Sequence, residues 1–283
     1  MRKRGLLLRK AVNNATGVCA FVATCAGVVF LFWILYTVIS MGVSGLSWSF
    51  LFEPTKPYGV PDGGIANAIV GTFLVTLGAV VIAIPAGMLG GIYLSEFSNK
   101  SRLGKAIRFS ANVMMGMPSI LVGLFVYTLI VVPTGKFSGF AGSVALAIIM
   151  FPVILRTTED MLSMVPNTLR ESALALGVPR WKATLALLFR EVRSGLVTGV
   201  LLAVARVSGE TAPLLFTALW SDSWPTGYFT QPTANLTVTI NEYATNSPYD
   251  EMHIRAWGAA MLVTAAILVL NICCRTIFRE KKA

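Results

Sequence analysis

Apolar residues in this chain come in long, nearly unbroken runs rather than in narrow amphipathic stripes. A helix needs about 20 such residues to cross a hydrocarbon core of about 30 Å. Six runs meet that length, at 17–42, 68–95, 110–132, 141–162, 194–220 and 256–276. The pattern predicts an all-α polytopic membrane protein, a single membrane domain over 1–283 with about six transmembrane helices. Pro85, Pro118, Pro152 and Pro213 fall inside runs, and each is expected to loosen or kink its helix. Gly87 with Gly91, and Gly195 with Gly199, put small residues four apart, a spacing that lets helices approach closely. No repeat of fixed period and no inverted pair of broken helices is visible.

Two polar intervals look structured. Residues 43–67 carry Trp48, Pro54, Pro57, Tyr58, Pro61 and the Gly63-Gly64 pair, a short ordered loop. Residues 221–255 carry Trp224, Tyr228, Phe229, Tyr243 and Tyr249 beside Asp222, Glu242, Asp250 and Glu251. These aromatics suit an interfacial belt, or a docking surface for an external protein.

Composition agrees with the membrane reading. The chain of 283 residues is 55% hydrophobic and 13% charged, against roughly 25% charged in soluble domains. Its mean hydropathy is +0.72. The net charge of +10 would by itself admit a nucleic-acid partner, but its distribution argues against one. Arg2, Lys3, Arg4, Arg9 and Lys10 precede the first run; Lys100, Arg102, Lys105 and Arg108 lie between the second and third. Arg170, Arg180, Lys182, Arg190 and Arg193 lie between the fourth and fifth, and Arg275, Arg279, Lys281 and Lys282 close the chain. The alternate loops hold only Lys56, Lys136 and Arg255. This is the positive-inside bias, and it puts both termini in the cytoplasm. The basic start followed by an apolar run imitates a signal peptide, yet the run is too long and lacks a small-residue cleavage site, so it reads as a retained span.

Catalytic signals are missing. No G-x-x-x-x-G-K-[ST] occurs, Ser208-Gly209-Glu210 is not a hydrolase elbow, and no nucleophile–base pair stands out. Cys19, Cys25, Cys273 and Cys274 have no metal-ligand spacing. His253 stands alone and reads as a surface residue. The sequence therefore assigns this chain no catalytic residue, no metal and no cofactor of its own.

Charges inside the apolar runs are the candidate functional residues. Arg156, Arg206 and Glu210 fall within the fourth and fifth, where an arginine costs about 2.5–3.5 kcal/mol even on a lenient scale. Arg206 and Glu210 are four apart and would share one helical face. Pro152 precedes Arg156 by a turn and Pro213 follows Glu210, so freed carbonyls would face a polar cavity. A guanidinium is always charged and grips an oxyanion through two parallel hydrogen bonds. Two arginines at staggered depth would line an anion path, with Glu210 neutralising Arg206 when the path is empty. The structural alternative is an intrahelical Arg206–Glu210 pair, with Arg156 paired to Glu159 or Asp160.

The loop at 165–190 specifies a short helix. Thr168 and Glu171 form a T-x-x-E capping box, and Leu169, Ala173 and Leu176 share a face. Gly177 sits at a left-handed stop and Pro179 blocks continuation. Two turns are marginal alone. This helix must pack on the membrane surface, on the rest of the chain or in a pocket of a cytoplasmic partner.

Glu171, Ser172 and Ala173, with Gly177 after three more residues, resemble the EAA loop of ATP-binding-cassette importer permeases. The sequence departs from that pattern with Ser172 for an alanine, Leu187 for an isoleucine and Phe189-Arg190 for Leu-Pro. FPVILRTTEDMLSMVPNTLRESALALGVPRW and ARVSGETAPLLFTA further resemble the permease subunits of bacterial phosphate importers. The resemblance implies a non-catalytic subunit in the bacterial cytoplasmic (inner) membrane that carries phosphate by alternating access. Glu171, Ser172, Ala173 and Gly177 would couple it to the ATPase, and Arg156, Arg206 and Glu210 would belong to the substrate pathway. Its implied partners are a homologous second permease, two ATP-binding-cassette ATPase subunits that bind ATP and Mg²⁺, an extracytoplasmic phosphate-binding protein and membrane lipid. Another oxyanion (sulfate, molybdate or tungstate) would suit the same arginines. An ion-coupled secondary transporter, with Arg206–Glu210 as a relay, would not need the capped loop helix.

Overall fold

The structure is a computed structural model that describes residues 2–56, 60, 63–98 and 101–277, with the backbone alone at 2–8, 274, 275 and 277. Pro57, Tyr58, Pro61, Lys100, Arg279, Lys281 and Lys282 lie outside the described residues. Every regular element among those described is helical. The first are α1 (Arg2–Gly42) and the short α2 (Trp48–Phe52). Next comes α3 (Ala66–Ile92), prolonged by a π-helical turn, Tyr93–Phe97. Then follow α4 (Arg102–Gly116), α5 (Ser119–Val126), a second π turn (Tyr127–Val131), α6 (Val132–Thr134) and α7 (Gly139–Ser163). The loop holds α8 (Asn167–Ala175) and α9 (Arg180–Ala183), and a π turn, Thr184–Leu188, leads into α10 (Phe189–Val207). Last are α11 (Ala212–Leu215), α12 (Leu236–Thr245) and α13 (Asp250–Ile277).

Among the described residues four helices are long and apolar enough to cross a membrane, in α1, α3, α7 and α13; α4 with α5–α6 makes a fifth if a bend of 105° is allowed within one span. The run at 110–132 is therefore not one straight helix. It breaks at Met117-Pro118, because Pro118 has no N–H to offer the α4 ladder and restricts the residue before it. The run at 194–220 is broken as well. α10 stops at Val207, residues 208–211 are not helical, and α11 starts at Ala212. Gly209 is a poor helix former, and the Pro213 ring would strike its carbonyl in a continued helix. Pro85 and Pro152, by contrast, are absorbed inside continuous α3 and α7.

The core lies between α3 and α7, the most extensively packed pair. α3 buries Gly71, Val75, Ala79, Ala83, Gly87 and Gly91, one residue per turn. α7 answers with Leu146, Met150 and Ile154, which are fully buried. A Cβ added at Gly87 would come within 2.9 Å of the Ile154 Cβ, so the small residue sets the approach. α10 packs on α7 beside α3, with Gly195 facing Met161 and Gly199 facing Thr157, and Ala203 and Val207 join the same core. α1 touches the rest mainly along α13 and is otherwise bare of protein contacts, its apolar surface left for lipid or another subunit.

Residues 221–255 turn back onto the bundle rather than forming only an exposed belt. Asn235 caps α12 through the Val238 N–H at 2.9 Å, and the Leu236 N–H donates to Thr72 of α3 at 2.8 Å. The Tyr228 hydroxyl lies 2.5 Å from Ser143 of α7, and burial raises its phenol above the usual range, so it stays neutral there. Tyr243 is buried, whereas Trp224, Phe229 and Tyr249 remain exposed.

Candidate functional site

The two broken spans meet. A Cβ on Gly123 of α5 would come within 2.7 Å of the Pro213 Cα in α11, so the segments beyond each break touch with no side chain between them. Below this contact lies a cavity of about 280 Å³, lined by Met114, Met117, Ser119, Val153, Arg206 and Glu210 among others. Its walls come from α4, the first turn of α5, the middle of α7 and the end of α10. Ser119 opens α5 behind Pro118, which offers no side-chain cap, and the start of a helix favours nearby negative charge.

Arg206 occupies the last turn of α10, and Glu210 lies in the break beyond it. They are thus not an intrahelical pair four apart, since the helix between them ends at Val207. Among the described residues no ion pair within 4 Å joins them. The break itself is held in place, because the Glu210 carbonyl accepts from the Thr237 hydroxyl of α12 at 3.0 Å. Arg206 therefore brings an exposed positive charge to a largely apolar cavity wall, and the Glu210 carboxyl lines the same space.

Arg156 lies elsewhere. The facing pairs Gly195–Met161 and Gly199–Thr157 set the register of α10 on α7, and place Arg206 level with about residue 150 of α7. Arg156 sits six residues further along α7, about 9 Å nearer the basic end at 1.5 Å per residue. It does not line the cavity. Its Nη1 donates to the Glu159 Oε2 at 2.8 Å, so of the two acids within reach Glu159 is the partner and Asp160 is not. The other Glu159 oxygen accepts from Arg108 Nε of α4 at 2.5 Å, and Arg108 Nη2 donates to the Leu94 carbonyl at 2.9 Å. Glu159 is 10% exposed and Arg156 31%. Two guanidiniums around one buried carboxylate leave a net positive charge in this cluster.

Below it a larger cavity, about 410 Å³, opens beside α8 and is lined by Glu96, Arg108, Glu159, Arg170, Glu171 and Arg180 among others. The helix start differs from the T-x-x-E expectation. α8 begins at Asn167 behind Pro166, Thr168 lies inside it, and no side chain caps its first turn. The proline fixes the turn into the helix and leaves the capping box without an N-cap to act from. The stop is as expected. Gly177 has φ +77°, the Val178 N–H reaches the Ala173 carbonyl at 3.1 Å and the Gly177 N–H reaches the Leu174 carbonyl at 2.9 Å, a Schellman closure. Glu171 and Ser172 are exposed on α8, and Ala173 is buried beneath it.

Sequence reasoning missed Arg108, Glu159 as a bridge, Glu96 and Arg170 as site residues. Arg108 pairs across 51 positions and Arg170 across 74, distances at which no local spacing carries a signal.

Comparison with known proteins places this arrangement in a class. Residues 83–279, more than half of the chain, match the family described as binding-protein-dependent transport system inner membrane component. The phosphate transport system permease protein PstA of Yersinia pestis is 44% identical over 99% of this chain and 95% of its own length. The Haemophilus influenzae protein of the same name is 43% identical over 97% and 96%. PstA 1 of Mycobacterium tuberculosis (strain ATCC 25618 / H37Rv) is 34% identical over 95% and 88%. The chain belongs to the inner membrane components of binding-protein-dependent transport systems, and among them to the PstA phosphate transport permeases. Among solved structures, the MetNI methionine ABC transporter in inward-facing form shares the fold, with a TM-score of 0.59 at 18% identity over 76% of this chain and 93% of that one. An amino acid ABC transporter gives 0.52 at 16% identity, over 76% and 90%.

Proposed function

We propose that this chain is a membrane-spanning subunit of an ATP-driven phosphate importer, and that the phosphate path runs past Arg206 and then Arg156. The observation that carries this reading is Arg206, an arginine without an ion-pair partner among the described residues, standing at a broken span beside a cavity. A guanidinium is kept at such depth, against its cost, when an anion is to meet it there. Glu210, lining the same cavity, repels that anion and keeps binding from becoming a trap. The Arg156–Glu159–Arg108 cluster about 9 Å below offers the next positive field. The names of the relatives favour phosphate over other oxyanions.

The finer assembly belongs to the same proposal. A second permease closes the open side of the cavity, an extracytoplasmic binding protein delivers phosphate, and both termini lie in the cytoplasm with the basic loops. Two partner ATPases hydrolyse ATP with Mg²⁺, and Glu171, Ser172, Ala173 and Gly177 present α8 to them. Support for the lever comes from its tight stop at Gly177. A Cβ there would meet nothing within 4 Å, so any penalty for a side chain is conformational. Gly177→Val is expected to cost about 1–2 kcal/mol of α8 order and to lower phosphate uptake several-fold, whereas Gly177→Asn, which tolerates the left-handed region, keeps most of it. Uptake of labelled phosphate in cells carrying each variant measures the difference.

Co-expression with neighbouring transport subunits, purification and reconstitution test the whole reading. ATP-dependent phosphate uptake by a complex containing an ATPase supports it. A chain that purifies alone and drives uptake in ATP-free vesicles under an ion gradient overturns it, and preference for sulfate or molybdate overturns the substrate.

A further inference from the structure

Arg170 leaves α8 toward the bundle with all three guanidinium nitrogens engaged. Nε donates to both Glu96 oxygens at 3.2 Å, and Nη2 donates to Oε1 at 2.9 Å. Nη2 also donates to the Leu162 carbonyl and Nη1 to the Val165 carbonyl, each at 2.5 Å. The two side chains are 20% and 10% exposed. Glu96 lies in the π turn that prolongs α3, Leu162 lies in the last turn of α7, and Val165 lies just beyond it on the way to α8. One planar group therefore ties the ends of α3 and α7 to the start of α8, and supplies donors where a helix terminus runs out of its own.

That junction bears on how motion travels. α8 is nine residues long, too short to keep its place by propensity, and its apolar footing is small: buried Ala173, with Leu169 against Leu162, Val165 and Leu188. α3 and α7 are locked to each other along the small-residue stripe, and α7 carries both Arg156 and a wall of the Met-lined cavity. We propose that Arg170 and Glu96 are the joint through which displacement of α8 moves α3 and α7 as one body. They are positioning residues, and the inference rests on the importer reading above. A guanidinium fork resists both push and twist in its plane, whereas an ammonium acts as a point charge. Either single substitution breaks the fork between the two side chains, and the double substitution breaks no further part of it, so the double variant should be no worse than the singles.

The test is phosphate taken up per ATP hydrolysed by the complete importer in proteoliposomes, with Glu96→Gln, Arg170→Met, the double variant and Arg170→Lys. The expected result is assembled, hydrolysing complexes whose phosphate-to-ATP ratio falls about tenfold, with the double variant no worse than either single and Arg170→Lys in between. A purely structural contact would lower the amount of complex and leave that ratio alone. Glu96→Gln, nearly isosteric, gives the reading if Arg170→Met fails to assemble. An unchanged ratio in assembled Glu96→Gln or Arg170→Met overturns the joint. No ATP-dependent uptake by the unsubstituted complex instead overturns the importer reading.

Discussion

Replacing Arg206 with glutamine is expected to lower phosphate uptake about 10- to 100-fold. The figure follows from the charge: hydrogen bonds to an ionised group are worth about 1.5–3 kcal/mol, and each 1.4 kcal/mol is about a factor of ten. Glutamine keeps length and polarity but has neither the charge nor the fork. Arg206→Lys, which keeps the charge without the bidentate geometry, is expected to fall between the two. The position makes a general folding defect the weaker account, because Arg206 makes no ion pair among the described residues and lies at the end of α10 rather than in the α3–α7 core. The measurement is the initial rate of labelled phosphate uptake, normalised to subunit in the membrane. Normal uptake with normal assembly removes this arginine from the path. Glu210→Gln should act in the opposite sense on affinity, with the anion held longer and turnover slowed.

Gly91→Leu is expected to remove the protein from the membrane almost entirely. A Cβ at this position would lie 2.5 Å from the Thr158 Cβ and 2.6 Å from the Leu155 carbonyl oxygen. A flexible side chain can swing aside, but a backbone oxygen inside α7 cannot. α3 and α7 would have to separate, and the loss extends along the stripe from Val75 to Gly91. Overpacking costs about 1–3 kcal/mol where side chains can adjust, and here they cannot. Helix association inside a bilayer depends on such close packing, since lipid tails are as apolar as the helices. Gly116→Leu is the control, because a Cβ at Gly116 meets nothing within 4 Å. Quantitative immunoblotting of membrane fractions compares the two. Equal amounts would mean that the glycine stripe does not set the α3–α7 approach.

The arginines also show why one residue type needs more than one explanation. Arg108 counts toward the positive-inside bias in the sequence, yet in the fold it holds Glu159 beside Arg156. Arg170 sits in the most basic loop and is spent on Glu96 and on carbonyls. The excess of Lys and Arg in a loop gives orientation. It does not say which of the charges are free.

Features that depend on neighbours along the chain are legible before folding. Runs of apolar residues specified membrane helices, glycines four apart specified close helix contacts, and Gly177 with Pro179 specified where the loop helix stops. Arg206 and Glu210 stood out because charge inside an apolar run is costly wherever it falls. Tertiary structure decided what depends on residues far apart. Helices break ahead of Pro118 and Pro213 but run on through Pro85 and Pro152. A proline removes only one hydrogen bond and adds one clash, and the packing around it settles whether the helix survives. The break at 208–211, braced by Thr237 from α12, turned an expected helical pair into an arginine and a carboxylate on one cavity. The joint of Arg170 with Glu96 exists only because the α3–α7 core brings together two helix ends 74 positions apart, and no periodicity along the chain encodes that encounter.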